Sequence, residues 1–184
     1  MARRKGPWTV EETARVYRTP WVEVVEDKVI RPDGTPGLFT TVRMRPGVSV
    51  LALDEEGFVQ LTSEYRYAVE RESVEVVSGG VEDDETPLDA AKRELREELG
   101  LEAREWIDLG PVDPFTSIVL APARLYLARG LTHGREEREA TEVISVLRVP
   151  LSDAVEMVAR GRVTHGPSCV LILRAHLYLN EDRA

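Results

Sequence analysis

The chain has 184 residues, 42% of them hydrophobic, and a formal net charge of −9. That length fits one domain, or one domain with an added segment, and the apolar content suits a packed core rather than low-complexity disorder. The acid excess argues against a nucleic-acid binder or an anionic-membrane binder, since both need a basic face. The single cysteine, Cys169, excludes an intrachain disulfide and fits a reducing, cytoplasmic setting. It begins the apolar run Cys169-Val170-Leu171-Ile172-Leu173, where a buried structural thiol is expected. No apolar run reaches the length of a membrane span, and Arg3, Arg4 and Lys5 are not followed by the apolar stretch of a signal peptide.

In chain order, residues 1–12 are mixed and polar and read as loosely ordered. From Arg15 to Ile30 the β-branched and aromatic residues Val16, Trp21, Val22, Val24, Val25, Val29 and Ile30 favour strand. Pro32-Asp33-Gly34 signals a turn, and Leu38 to Met44 returns as a second strand, giving a β-hairpin ahead of Pro46-Gly47. Residues 1–45 are therefore expected to form a hairpin extension and residues 46–184 the main domain. Val48 to Leu53 reads as a buried strand, Asp54 to Gly57 as a turn, and Phe58 to Thr62 as its partner. Val74 to Val77 is a further strand, ended by the loop Ser78-Gly79-Gly80. Thr86 to Leu99 carries the strongest helix signals: Thr86 as N-cap, Pro87 at the first helical position, Asp89 two residues later and Gly100 at the end. Trp106 to Leu109, Ala123 to Ala128 and Thr141 to Val149 look like strands. Ser152 to Ala159 reads as a helix capped by Ser152, and Pro167 to Leu179 as a final helix whose spacing also allows a strand. The mixture of strands and few helices predicts an α+β fold.

Within the strongest helix, Glu94, Glu97 and Glu98 stand at i, i+3 and i+4 and share one face. Like charges so placed repel, and a hard divalent cation with oxygen ligands would relieve that repulsion. Preceding glycines let backbone approach a ligand closely. Together these features suit metal-assisted hydrolysis of a phosphoanhydride. On spacing alone, a solvated acidic helix accounts for the pattern equally well.

The stretch from Gly79 to Leu101 resembles the Nudix box of the Nudix hydrolases. That box is glycine, five residues, glutamate, seven residues, then Arg-Glu-aliphatic-x-Glu-Glu-x-Gly-aliphatic. Gly79, Glu85, Arg93, Glu94, Leu95, Glu97, Glu98, Gly100 and Leu101 fill every defined position. The resemblance implies the Nudix fold, a mixed β-sheet sandwiched between helices, and Mg²⁺ or Mn²⁺ as cofactor. It implies Glu94 and Glu98 as principal metal ligands, and Glu97 as a further ligand or an orienter of the attacking water. Arg93 and Glu85 would brace the loop–helix–loop, with Gly79 and Gly100 at its turns.

The flanks resemble the ADP-ribose pyrophosphatase branch over residues 16–178. In that branch an N-terminal hairpin is exchanged between subunits, which implies a homodimer. Ser63-Glu64-Tyr65-Arg66-Tyr67 resembles its Arg-Gln-Tyr-Arg segment, and Arg66 matches the arginine that contacts substrate. Trp21, as an aromatic that could stack on a base, and Glu75 are the other substrate-binding candidates. Where the branch reads Trp-Glu-Leu-Pro-Ala-Gly, this chain reads Val74-Glu75-Val76-Val77-Ser78-Gly79. The metal-binding carbonyl of the branch's alanine would come from Ser78, since a backbone carbonyl needs no particular side chain. After the box, Asp113 to Val119 lacks the glutamate of many relatives. The general base is expected before the penultimate strand, where Glu136, Glu137, Glu139 and Glu142 fall, with Glu139 and Glu142 better placed. His133, His165 and His176 have no ligand spacing and read as surface or satisfied polar residues. The implied reaction is hydrolysis of ADP-ribose to AMP and ribose 5-phosphate. The alternatives are another nucleotide substrate (a nucleotide sugar, a dinucleoside polyphosphate, coenzyme A or an oxidised nucleoside triphosphate) or a non-catalytic domain that binds a nucleotide sugar.

Overall fold

The computed structural model describes residues 2–134 and 144–181. The chain forms two compact units, residues 1–45 with 113–122, and residues 46–112 with 123–184.

The first unit is a sheet ordered β1-β2-β3-β4-β10, built from β1 (Arg3–Lys5), β2 (Trp8–Arg18), β3 (Val22–Ile30), β4 (Pro36–Met44) and β10 (Val119–Leu120). It is larger than the expected hairpin. Residues 1–12, read as loose, supply β1 and the start of β2, because strand pairing satisfies the backbone of a polar segment as well as an apolar one. Val10 is buried there, and Trp8 meets the Phe39 ring edge-on at 5.4 Å. Asp27 is buried too, accepting from Thr13 Oγ1 at 2.6 Å and Lys5 Nζ at 3.4 Å. Residues 113–122, which sequence order places in the 46–184 domain, join this unit. Val119 and Leu120 pair in parallel with Val42 and Arg43.

The second unit is a mixed sheet covered on both faces. Its strands are β5 (Gly47–Leu53), β6 (Phe58–Arg66), β7 (Arg71–Glu75), β8 (Val77–Gly80), β9 (Leu101–Val112), β11 (Ala123–His133) and β12 (Ser145–Pro150). Its helices are α1 (Pro87–Leu99), α2 (Leu151–Ala159) and α3 (Gly166–Glu181). β11 runs parallel to β5 and antiparallel to β9. Alternation along β5 sends Val48, Val50 and Ala52 to a core with Ala90, Ala91, Leu95 and Leu99 of α1. Leu51 and Leu53 go to the opposite core, with Ala154 and Met157 of α2 and Leu171, Ile172 and Ala175 of α3. The continuous apolar run of β5 is therefore a strand buried on both faces. Among the described residues no helix is long and apolar enough to cross a membrane.

β5 and β6 pair only beside their turn, at Ala52 with Gln60 and Leu53 with Val59. Beyond that they diverge, and residues 71–80 fill the opening. β7 pairs with β6 and β8 pairs with β5. The segment Ser78-Gly79-Gly80, expected as a loop, is thus strand. The change of partner falls on Val76, which is fully buried. Helix α1 follows its sequence signals: Thr86 Oγ1 accepts from Asp89 N, and Gly100 closes the helix at φ +63 with its N–H on Arg96 O. The expected cap of α2 is corrected. Pro150 occupies the N-cap and no side chain caps it, because Ser152 already lies inside the helix. The final segment is a helix, and Cys169 there is half-buried, its Sγ donating to Val163 O at 3.3 Å.

Candidate active site

Arg93 is the hub of the box. Its Nε and Nη2 donate to the two oxygens of Glu85, each at 3.0 Å, and Nη2 also donates to Gly80 O at 2.9 Å. Nη1 donates to Glu94 Oε1 at 2.7 Å and to Glu97 Oε2 at 2.9 Å. A guanidinium carries five N–H donors in a fixed plane. Arg93 spends that fork on tying the loop before α1, through Glu85 and Gly80, to the carboxylate face of the helix. The Glu85 hydrogen bonds, opposed by partial burial and joined by Glu94 and Glu97, hold the arginine's pKa above its ordinary value. Arg93 in turn holds Glu85 below the usual carboxylate range. The loop itself is closed by Glu82 N donating to Glu85 Oε2 and by Glu85 N donating to Glu82 O.

Glu98 is buried at 8% exposure, and its Oε1 accepts from Ser78 N at 3.2 Å. Gly79, next along β8, lies so close to the Glu94 carboxylate that a Cβ there would overlap it. Strand β8 and the glutamate face of α1 thus meet at Ser78 and Gly79. The carboxylate oxygens gathered beside this strand are the kind of donor that a hard divalent cation takes. Glu94 and Glu97 are drawn to Arg93, and among the described residues no three acidic or histidine side chains are assembled as a ready ligand set.

The changeover at Val76 requires partners for two backbone groups. Val76 N–H donates to Ser168 Oγ of α3 at 3.0 Å, and Val76 O accepts from Ser78 Oγ at 3.1 Å. Ser78 Oγ also meets Ser49 Oγ of β5 at 2.9 Å. Two serine hydroxyls, of Ser168 and Ser78, thus take the place of ladder bonds where the strand crosses, and Ser49 holds the second of them. Sequence reasoning missed Ser49 and Ser168. A polar residue inside the apolar run Val48 to Leu53 was the available signal for Ser49; nothing local marked Ser168.

Arg66, at the end of β6, pairs with Glu75 of β7 through two bonds, Nε to Oε1 at 3.2 Å and Nη2 to Oε2 at 2.9 Å. Its Nη1 lies 2.6 Å from Glu64 Oε2. Burial works against the charge on both members and is the largest single effect, but their mutual hydrogen bonds and the neighbouring charges together outweigh it, so the Arg66 pKa is raised and the Glu75 pKa lowered. Glu98 adds to the field on Arg66. Glu75 is therefore the partner that orients Arg66, and it also faces His165, whose Nδ1 is 3.4 Å from Oε2. His165, expected at the surface or as a satisfied polar group, is half-buried against Glu75 and is satisfied by Ser168. Trp21 lies in the first unit, in the turn between β2 and β3, at 70% exposure. Glu136, Glu137, Glu139 and Glu142, the base candidates, fall outside the described residues.

A family model for the NUDIX domain matches residues 43–168. The chain belongs to the Nudix family. In this Nudix chain a second model, for the nucleoside diphosphate sugar hydrolase N-terminal domain, matches residues 8–42. The protein is 30% identical over 153 residues to an ADP-ribose pyrophosphatase of Mycobacterium tuberculosis, covering 82% of this chain and 74% of the relative. It is 29% identical over 151 residues to an ADP-ribose pyrophosphatase of Bacillus subtilis, covering 81% and 82%. It is also 27% identical over 177 residues to a methanol dehydrogenase activator of Bacillus methanolicus, covering 92% of each. A crystal structure of an ADP compounds hydrolase matches with a TM-score of 0.83 over 98% of both chains at 19% identity, a likeness of fold. Nudix hydrolases use divalent metal ions, and the oxygen donors beside Arg93 have the chemistry such an ion takes.

Proposed function

We propose that this Nudix protein hydrolyses the diphosphate bond of a nucleoside diphosphate derivative, with ADP-ribose, giving AMP and ribose 5-phosphate, as the first candidate. The observation that carries the reading is the meeting of the Glu94, Glu97 and Glu98 face with the Ser78–Gly79 backbone under the Arg93 clamp. The two ADP-ribose pyrophosphatases among its relatives support the choice of substrate. Mg²⁺ or Mn²⁺ would be held by the Ser78 carbonyl, Glu94, Glu97 and Glu98. When bound, such an ion draws charge from the diphosphate oxygens and lowers the pKa of water.

The chain's own residues do the rest. Glu98 is fixed in place by Ser78 N–H, so its free geometry is narrow. Arg93 neutralises the like charges of Glu94 and Glu97 and keeps them on one face. Arg66, with Glu75 and Glu64 holding three of its N–H groups, has two donors left for a phosphate of the substrate. A glutamate, Glu139 or Glu142, would accept the proton of the attacking water. Trp21 is carried forward as the aromatic candidate for stacking on the base. The N-terminal segment is proposed to support a homodimer, and the protein to work in the cytoplasm.

The test is a panel of ADP-ribose, other nucleotide sugars, dinucleoside polyphosphates and nucleoside triphosphates, each with Mg²⁺ and Mn²⁺, scored by AMP or phosphate release. Turnover of ADP-ribose is expected to fall by at least about 10²-fold in Glu98→Gln, with an unchanged melting curve. Near-full turnover in that folded variant would remove Glu98 from the site.

A further inference from the structure

We propose that His165 is a positioning residue for the phosphate-binding arginine, acting on Arg66 through Glu75. This rests on the reading of Arg66 as a substrate-binding residue. His165 stands immediately before α3. Its Nδ1 is 2.8 Å from Ser168 Oγ and 3.4 Å from Glu75 Oε2. The nearby carboxylate favours the tautomer with the proton on Nδ1, donated to Ser168 Oγ, and leaves Nε2 as the nitrogen that titrates. Arg66 Nη2 donates to the same Glu75 Oε2 at 2.9 Å. One carboxylate oxygen is thus shared by the histidine and the arginine, inside a cluster where Glu75 is 5% exposed.

The cluster draws on every element around it. β6 supplies Arg66 and Glu64, and β7 supplies Glu75 and Arg71, whose Nη2 donates to Thr164 Oγ1 beside the histidine. α3 supplies Ser168 and the half-buried Cys169. α1 supplies Glu98, which acts on Arg66 at longer range. Burial lowers the His165 pKa, with Glu75 opposing and Arg66 assisting, so the imidazole is neutral at pH 7. In that form the Nδ1–H is donated to Ser168 Oγ, and the neutral ring lies against Glu75 without displacing Arg66. Protonation at Nε2 places a positive charge with its Nδ1 3.4 Å from Oε2, and that charge competes with Arg66 Nη2 for the carboxylate. The two-bond fork that orients the guanidinium then loosens. Binding that is common to ground and transition states registers in KM and leaves kcat unchanged.

The experiment measures kcat and KM from pH 5 to pH 8 with ADP-ribose, or with whichever panel compound the wild type cleaves. His165→Ala is expected to raise KM about fivefold at pH 7 with kcat near wild type, because the polar ring edge beside Glu75 and its tie to Ser168 are both lost. His165→Asn, whose amide N–H can stand where Nδ1–H stood, is expected to restore KM at pH 7. It should also abolish the rise in KM expected of the wild type on the acid side. An unchanged KM in His165→Ala, or the wild-type acid rise persisting in His165→Asn, overturns the proposal. Should His165→Ala not fold, His165→Asn still carries the pH test. Arg66→Lys separates the two levels: an unchanged KM there refutes the role of Arg66 itself, whereas a raised KM beside indifferent His165 variants refutes only the histidine. A readout without substrate is the Arg66 Nε–H resonance. It should titrate with the His165 ring in the wild type and stay flat in His165→Asn; a flat wild-type resonance overturns the coupling.

Discussion

Replacing Arg93 with methionine keeps an unbranched apolar stem and removes the guanidinium with its charge and all its donors. In the folded protein that arginine makes two bonds to Glu85, one to Gly80 O and one each to Glu94 and Glu97. Its carboxylate partners are from 13% to 30% exposed at the side chain, so they stay partly desolvated once the cation is gone. Removing one member of a buried ion network costs about 3–5 kcal/mol. The partial solvation of Glu97 argues for the lower end, about 3 kcal/mol. For a protein of this length each kcal/mol moves Tm by about 2–4 °C, so Arg93→Met should melt about 6–12 °C below wild type. The assay is urea and thermal unfolding in the presence of a chelator, from pH 7 down to pH 3. Arg93 lowers the Glu85 pKa from its ordinary 4.5. A carboxylate lowered by folding adds stability above its unfolded pKa and loses it as pH falls through the folded value. The gap between wild type and variant should therefore be full at pH 7 and shrink below about pH 4.5. A gap under about 1 kcal/mol at pH 7, the worth of an exposed ion pair, would refute the clamp. A gap that stays constant to pH 3 would refute the ionic account of it.

Two further outcomes follow from the strand that fills the sheet opening. Gly79→Ala places a methyl group against the end of the Glu94 side chain, which can swing away, so stability should change by no more than about 1 kcal/mol. The displaced carboxylate should weaken Mn²⁺ or Mg²⁺ binding about tenfold by calorimetry, and unchanged affinity would show that the close approach does not position Glu94. Ser168→Ala strips the acceptor from the buried Val76 N–H and should cost about 1–3 kcal/mol in urea unfolding. A loss within error of zero would mean that this N–H finds another partner.

Much of the site was legible because its signals are local. The Thr86 cap, Pro87, Gly100 and the shared face of Glu94, Glu97 and Glu98 lie within helix-range spacing, and the Nudix box that holds them is one continuous run from Gly79 to Leu101. Glu75 was legible as a retained residue, but its work was not, since Arg66 is reached only when β6 and β7 pair. His165 looked like a stray histidine because Glu75 stands ninety residues earlier in the chain. Residues 1–12 looked loose because their alternation is polar. Their order comes from pairing with β3 and from two apolar anchors, Trp8 and Val10. Ser152 had the chemistry of a cap and the wrong register, since Pro150 ends the preceding strand and the helix begins directly after it.

By itself the sequence determined the family, the carboxylate helix with both its ends, and the class of bond that such a helix serves. These are properties of short segments, in which each residue's neighbours along the chain are also its neighbours in space. Only the tertiary structure decided that β5 and β6 diverge and that residues 71–80 change partners at Val76. It also decided that serines from β8 and α3 satisfy the crossing, and that residues 113–122 join the N-terminal unit, with Val119 and Leu120 in its sheet. Strand pairing and buried polar satisfaction join residues far apart in the chain, and no local pattern specifies which of many acceptors a buried N–H will meet.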